Sequence, residues 1–369
     1  MIRRLLFLNG IAILGVVLFH SSGMGFVAMF AWASRYLPPG ASIMDQVGSL
    51  SYYGLRMVEQ IAIVSIPAFL FVSGNFVAVS AGRDATMLSR KLIYSRIQNL
   101  LIPYFLWSVV VIALNMITGS KFSEISVLIM LLTGGANEIF YFVPLLVQFY
   151  LLSPLLIRIA RANPLGLLIV CGVIQTFLQL LPYHVLFDTQ LVFVGAVYKL
   201  IPKWLFISRI FWFPLGMVAG LHSSAIKQTL VRLRNWAIAA AIILVPLGIL
   251  EWETLFRRSG EIWLAHRETV TDNLYSLAVL ISLLALRRIP ANITEPFESL
   301  GAKSYGIFLT HGIFIEYTAK VIYHAAPALL GYQIALQPVF VFIGLAGPLA
   351  IITLIDHSVL RKAYSYLYG

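Results

Sequence analysis

The chain has 369 residues, of which 60% are hydrophobic and 11% are charged, and its mean hydropathy is +0.90. Soluble domains carry charge on roughly a quarter of their residues, so this composition excludes an ordinary soluble domain and indicates a polytopic helical membrane protein. The single cysteine, Cys171, excludes an intrachain disulfide. The formal net charge of +11 does not predict nucleic-acid binding, because the basic residues cluster between hydrophobic spans.

Hydropathy predicts an all-α transmembrane bundle of about ten spans, with about 20 apolar residues in each. The Met-Ile-Arg-Arg start resembles that of a signal peptide, but no small-residue cleavage site is convincing, so we interpret it as part of a retained first span. We expect a single transmembrane domain over residues 1–369, with no separate soluble domain and no clear internal repeat. The spans are predicted at 5–29, 57–80, 97–117, 139–160, 164–182, 204–221, 235–252, 273–286, 304–324 and 333–357.

The distribution of basic residues predicts the orientation of the bundle. With a cytoplasmic N-terminus, the inside segments hold 16 of the 26 basic residues and four of the 15 acidic residues. The opposite orientation would place most of the positive charge outside, so we predict that both termini are cytoplasmic. The 16 basic residues are Arg3, Arg4, Arg83, Arg90, Lys91, Arg96, Arg158, Arg161, Lys227, Arg232, Arg234, Arg287, Arg288, Lys303, Arg361 and Lys362.

Several segments between the spans have a distinct composition. Residues 125–136 form an apolar run too short to cross the bilayer, so we predict an interfacial or re-entrant segment. The longest outside loops are predicted at 30–56, 183–203 and 253–272. The last loop combines many charged residues with Trp263, which suits a polar ligand such as a sugar, although a solvated loop face is the commoner explanation.

His20 lies in the apolar run of residues 9–22, NGIAILGVVLFHSS. An ionisable side chain at bilayer depth is unfavourable unless it finds a partner or a wet cavity, so it marks a candidate functional site. The alternative is a neutral histidine hydrogen-bonded to a neighbouring helix. A rise of about 1.5 Å per residue places His20 roughly 24 Å from Arg4, in the outer half of its span. Imidazole, with an ordinary pKa near 6.5, suits a general base.

The second predicted span ends near the cytoplasmic face in a polar stretch, residues 66–76, IPAFLFVSGNF. Pro67 frees a backbone carbonyl, and Ser73, Gly74 and Asn75 allow another backbone or a ligand to approach closely. A basic cluster follows, which either sets orientation and contacts anionic lipid or binds a phosphorylated donor. The cluster consists of Arg83, Arg90, Lys91 and Arg96.

Six sequence pieces in order, from residue 5 to about 314, carry a family resemblance. The chain resembles the acyltransferase-3 family of integral membrane proteins, which O-acylate carbohydrates. The pieces are AILGVVLFHS in the first span, PAFLFVSGNF in the second, RIQNLLIPYFLW before and in the third, FVPLLVQFYLLSPLL in the fourth, FPLGMVAG at 213–220 and SLGAKSYGIFLTHGIF at 299–314.

The resemblance implies a ten-helix core that moves an acyl group, usually acetyl, from acetyl-CoA on the cytoplasmic side to a glycan hydroxyl on the far side. It also implies that the first-span histidine, here His20, is essential. The family commonly has an arginine eleven residues earlier, where this chain has Asn9, so the role of that arginine is either supplied elsewhere or absent. The His-x-x-x-x-Asp motif of other acyltransferases is absent, since His184 and Asp188 are one residue too close.

Further residues are expected to assist the donor and the base. Glu59, at the outer end of the second span, is expected to orient or charge the imidazole of His20, unless it is only an interfacial carboxylate. The donor is expected to contact the polar stretch and the basic cluster. The expected acyl-CoA contacts are Ser73, Asn75, Arg90, Lys91 and Arg96.

The expected acceptor contacts are aromatic residues and a second histidine. Trp107 and Tyr141 are candidates to line the path of the sugar or the acyl group, with an aromatic belt as the alternative. His311 matches the family pattern of an aromatic residue, leucine, any residue and histidine, and is expected either to contact substrate or to make a packing hydrogen bond. Glu316 and Lys320, four residues apart, are expected to form an ion pair.

We therefore expect a membrane O-acyltransferase in a bacterial inner membrane, acting on an exopolysaccharide, a lipid-linked oligosaccharide or a glycoside, with acetyl-CoA as donor and no metal. The expected partners are acyl-CoA, the acceptor and membrane lipid, and no nucleic acid. The alternative is a transporter or flippase for a lipid-linked sugar, which repeated halves with broken helices would favour; none is found. Another polytopic O-acyltransferase superfamily places its intramembrane histidine late in the chain, unlike His20.

Overall fold

The computed structural model is all-helical, and no strand occurs in the parts of the chain that it describes. The described residues are 2–82, 89–183, 200–259, 268–286 and 289–369. Sequence features that lie outside them are Arg83, Asp84, His184, Asp188, most of the loop 183–203, residues 260–267 of the loop 253–272, and the pair Arg287 and Arg288.

The helices are numbered here in chain order. They are α1 (Ile2–Phe26), α2 (Leu50–Ala62), α3 (Ser65–Ala81), α4 (Arg90–Ile117), α5 (Glu124–Thr133), α6 (Phe142–Ala162), α7 (Pro164–Leu180), α8 (Trp212–Leu221), α9 (Ser223–Ser259), α10 (Val270–Ala285), α11 (Ala291–Ala302), α12 (Ser304–Ala325), α13 (Gln333–Asp356) and α14 (Tyr364–Tyr368). Short 3₁₀ segments and one π-helical turn, Val27–Ala31, connect some of them.

Seven helical stretches in the described part of the chain are long and apolar enough to cross a membrane. The chain is therefore an integral membrane protein, while the count of ten spans stays a prediction. The apolar run predicted at 125–136 is the ten-residue helix α5. The seven stretches are Ile2–Ala31, Leu50–Ala81, Arg90–Ile117, Phe142–Ala162, Pro164–Tyr183, Ala225–Ser259 and Gln333–Asp356.

The second predicted span, 57–80, is interrupted near its middle. Pro67 has no N–H to donate to the carbonyl of Ile63, so α2 ends at Ala62 and α3 begins at Ser65. The Ser65 hydroxyl donates to the Ala62 carbonyl across the break, at 2.6 Å. The two helices together still form one apolar stretch of 32 residues.

The sixth predicted span, 204–221, does not form a full-length helix in the structure. The structure has a short 3₁₀ segment followed by α8, which is ten residues long. Glycines let α8 pack closely on α3: a Cβ at Gly216 would overlap the carbonyl oxygen of Phe71, and one at Gly74 would overlap that of Phe213. The helix α8 is thus a half-length element packed against α3.

Both termini lie at the same end of the bundle. At the start of α1, Arg3 forms an ion pair with Glu298 of α11 at 2.8 Å. The helix α12 follows α11 directly, and near its start Gly306 packs against the ring of Tyr368 in α14. We name this the inner end and the opposite end the outer end, following the predicted orientation, which itself stays a prediction.

Candidate functional site

A cavity of about 1020 Å³ lies in the outer half of the bundle, and we name it the outer cavity. Residues of α1, α2, α4, α9, α10 and α12 contribute to its wall. Its lining includes three candidates from the sequence, His20, Glu59 and Tyr141, together with Arg56 and Arg209, which sequence reasoning missed. A cavity of this size, with a few polar groups in its wall, is suited to a ligand of sugar size.

His20 and Glu59 lie at the same level of the bundle, on neighbouring antiparallel helices. Gly15 of α1 packs against Ser65, and Gly25 packs against Leu55 of α2. His20 is midway between these two glycines along α1, which places it at the level of Glu59, but on the side of the helix that faces away from α2. The His20 side chain is partly buried and lines the outer cavity, which provides the wet environment that an ionisable group in a membrane span requires.

His311 is brought next to His20, with 5.4 Å between the ring centroids. The His311 side chain is fully buried, and its Nδ1 lies 3.0 Å from the carbonyl oxygen of Ile307. A carbonyl oxygen only accepts hydrogen bonds, so Nδ1 carries the proton and Nε2 presents a lone pair. That Nε2 has no hydrogen-bond partner in the described part of the chain.

Glu59 belongs to a buried ion pair in the wall of the outer cavity. Arg56 donates to Oε2 of Glu59 at 2.6 Å. The guanidinium carbon of Arg56 lies 3.2 Å from the centroid of the Trp252 ring and 4.1 Å from that of Phe26, within the range of a cation–π contact. The spacing of three residues in one helix was a signal in the sequence for this pair.

A second buried ion pair stands on another part of the same wall. Arg209 donates to Glu268 at 2.7 Å, and its guanidinium carbon lies 5.1 Å from the centroid of the Tyr141 ring. Both side chains of the pair are buried. The two residues are 59 positions apart, so no local pattern could have predicted that they meet.

The residues expected to bind the donor do not form one cluster. A cavity of about 250 Å³ at the inner end, which we name the inner cavity, is lined by Arg96 together with Tyr150 and Lys303. Ser73 also lies beside Tyr150. Asn75 is buried next to Gly220. Arg90 and Lys91 are exposed at the start of α4 and do not line this cavity.

Other candidates have structural partners. The Trp107 indole donates to the carbonyl of Leu367 at 2.9 Å, outside both cavities. Of the basic residues that precede Asn9, the position of the family arginine, Arg3 pairs with Glu298 and Arg4 donates to the Leu286 carbonyl at 2.8 Å. The predicted pair of Glu316 and Lys320 is confirmed at 2.6 Å. No group of His, Cys, Asp or Glu placed to hold a metal occurs in the described residues.

The helix α12 runs from the inner cavity to the outer one. Tyr305 lines the inner cavity and Phe308 lines the outer cavity. Their rings are stacked, with 6.3 Å between the centroids and 9° between the planes. His311 is one turn further along the same helix, beside His20. The stacked pair of rings therefore separates the two cavities.

The fold and the site together define an integral membrane protein in which a histidine of the first helix lines a cavity with several polar side chains in its wall. A family model described as an acyltransferase domain matches residues 5–357, nearly the whole chain. The chain belongs to the acyltransferase-3 family, and this membership supports a membrane acyltransferase that acts on a sugar. No curated protein and no solved structure matches the chain.

Proposed function

We propose that this protein transfers an acetyl group from cytoplasmic acetyl-CoA to a hydroxyl of an extracytoplasmic glycan, with His20 as the general base. The supporting observation is that His20, in an otherwise apolar helix, lines a cavity of about 1020 Å³ with several polar side chains in its wall, in the outer half of the bundle. An exopolysaccharide or a lipid-linked oligosaccharide is the proposed acceptor, in a bacterial inner membrane.

The chemistry is an acyl transfer from sulfur to oxygen. The acceptor hydroxyl attacks the thioester carbonyl carbon while His20 takes its proton. The carbon–sulfur bond then breaks, and the CoA thiolate leaves with the proton returned by the imidazolium. The unpaired Nε2 of His311, on a ring 5.4 Å from that of His20, is the neighbouring acceptor that can hold the imidazolium formed between these two steps.

The donor would approach from the inner end. Arg96 and Lys303 both line the inner cavity, and basic side chains are the usual partners of the phosphates that CoA carries. The arm that bears the thioester must then pass the stacked rings of Tyr305 and Phe308 to reach His20. This route needs a displacement of Phe308, whose ring also packs near Phe142.

Replacement of the base tests the proposal. We expect His20→Ala to abolish O-acetylation of cell-surface glycans, measured by mass spectrometry in cells that lack the native gene and carry the variant. The matched control is His357→Ala, because His357 is exposed at the end of α13 and outside both cavities. Normal acetylation by the His20→Ala variant, at wild-type protein levels in the membrane, would contradict the proposed base.

The donor site has its own test with purified protein. We expect acetyl-CoA to raise the melting temperature, since a ligand that binds only the folded state stabilises it. Arg96→Glu and Lys303→Glu should remove most of this shift, because both residues line the inner cavity. Arg90→Glu and Lys91→Glu, on the exposed start of the same helix, should weaken it less. A protein that no acyl-CoA stabilises would favour the transporter alternative.

A further inference from the structure

Glu59 has one carboxylate oxygen with a partner and one without. Oε2 accepts the hydrogen bond from Arg56, whereas Oε1 is buried and has no hydrogen-bond partner among the residues that the structure describes. A buried acceptor without a donor costs free energy, so such an atom in a native structure needs an explanation. Since Glu59 lines the outer cavity, a ligand in that cavity can bring the missing donor.

The side chains around Glu59 are held by other contacts. Arg56 is held between the rings of Trp252 and Phe26. The amide nitrogen of Gln60 donates to Asp272 at 2.9 Å. Asp272 in turn accepts from the backbone N–H of Thr269 in the capping box that begins α10. The carboxylate of Glu59 is thus presented in one orientation.

The charges of the wall favour an uncharged ligand. Basic side chains that line the outer cavity contact carboxylates: Arg56 with Glu59, Arg209 with Glu268 and Lys320 with Glu316. An anionic ligand would gain little from cations that are already paired, and it would meet their carboxylates. A sugar hydroxyl, in contrast, is both uncharged and a hydrogen-bond donor.

We propose that Oε1 of Glu59 accepts a hydrogen bond from a second hydroxyl of the acceptor, while His20 takes the proton of the first. Both side chains line the outer cavity, at the same level of the bundle. The acceptor is then an uncharged sugar with at least two free hydroxyls. Glu59 thus binds the sugar and contributes to specificity for it, and does not orient the imidazole of His20. This inference rests on the proposed function.

The experiment uses membranes from cells that lack the gene, which contain the natural acceptor, and acetyl-CoA with a labelled acetyl group. In Glu59→Gln, the amide oxygen is expected to take the place of Oε2 beside the donor of Arg56, so that an NH₂ group replaces Oε1. The acceptor atom thus becomes a donor at constant volume. We expect the KM for the membrane acceptor to rise roughly tenfold or more, with kcat and its pH profile unchanged.

A second variant removes the risk of a folding defect. Arg56→Met with Glu59→Met leaves neither an unpaired charge nor an acceptor at this point of the wall, and should give a similar rise in KM. The control is Glu253→Gln, at the ion pair with Arg257 outside both cavities, which should leave the KM within twofold. A wild-type KM in both Glu59 variants, or a fall in kcat with a shifted pH profile, would overturn the inference and leave His20 as the base. Absence of transfer by the wild-type protein would overturn the proposed function as well.

Discussion

Arg56 links three helices at the outer end of the molecule. Its charge is balanced by Glu59 in α2, and its guanidinium packs on Phe26 of α1 and Trp252 of α9. Arg56→Ala would leave the Glu59 carboxylate buried and unpaired, which typically costs about 3–5 kcal/mol. We therefore expect a clearly lower melting temperature for this variant in detergent.

An exposed pair at the same end provides the comparison for Arg56. Arg257 also pairs with a glutamate of a helix, Glu253, at 2.7 Å, but its side chain is 64% exposed. Exposed ion pairs contribute little to stability, so Arg257→Ala should leave the melting temperature nearly unchanged. Equal shifts for Arg56→Ala and Arg257→Ala would contradict the special role of the buried pair.

His311 allows stability and activity to be separated at one residue. Replacement by Phe keeps a ring of similar size and removes a buried nitrogen that has no partner in the described residues, so the melting temperature should stay the same or rise. The hydrogen bond that Nε2 offers to the charged His20 would be lost. Such bonds contribute about 1.5–3 kcal/mol, so we expect kcat to fall roughly 10- to 150-fold. If His311→Phe kept the wild-type kcat, His311 would have only a packing role.

At the scale of the helix, the contact between α3 and α8 depends on two glycines. A methyl group at Gly216 would overlap the Phe71 carbonyl oxygen, and backbone cannot move aside as a flexible side chain does. Overpacking of this kind costs about 1–3 kcal/mol, so Gly216→Ala should lower the melting temperature. The control is Gly23→Ala in α1, because nothing lies within 4 Å of a Cβ there; a comparable loss of stability in that variant would contradict the explanation.

Hydropathy and spacing were sufficient for part of this fold and this site. Composition predicted an all-helical membrane protein, and the motif pieces predicted the family that the match over residues 5–357 shows. The i, i+4 spacing predicted the pair of Glu316 and Lys320. The half-length of α8 was missed, because residues 204–211 are as apolar as a spanning helix although they do not form one.

Contacts between segments that are far apart in the chain could not be predicted from the sequence. Arg209 and Glu268 are far apart in the chain, and only the packing of the helices brings them together at the outer cavity. For Trp107, the sequence left a substrate path and an aromatic belt as alternatives, and the structure adds a hydrogen bond from its indole to the Leu367 carbonyl. A side chain's type predicts what it can contact, but its partner depends on the tertiary arrangement.

At the scale of the whole molecule, the orientation in the membrane decides which compartment each end faces. Both termini lie at the inner end, where Arg3 and Glu298 meet. The excess of basic residues in the predicted inside segments favours a cytoplasmic inner end. The single cysteine makes this testable, because a Cys171→Ser background lacks every native thiol.

In that background, one new cysteine at a time reports the side of the membrane on which it lies. We expect a membrane-impermeant thiol reagent to label Ala41→Cys, in the exposed segment after α1, in intact cells. Asn292→Cys, exposed in α11 at the inner end, should be labelled only after the membrane is opened. The reverse pattern would show that the protein has the opposite orientation in the membrane. The outer cavity with His20 would then open towards the cytoplasm, where a glycan acceptor of the cell surface could not reach it.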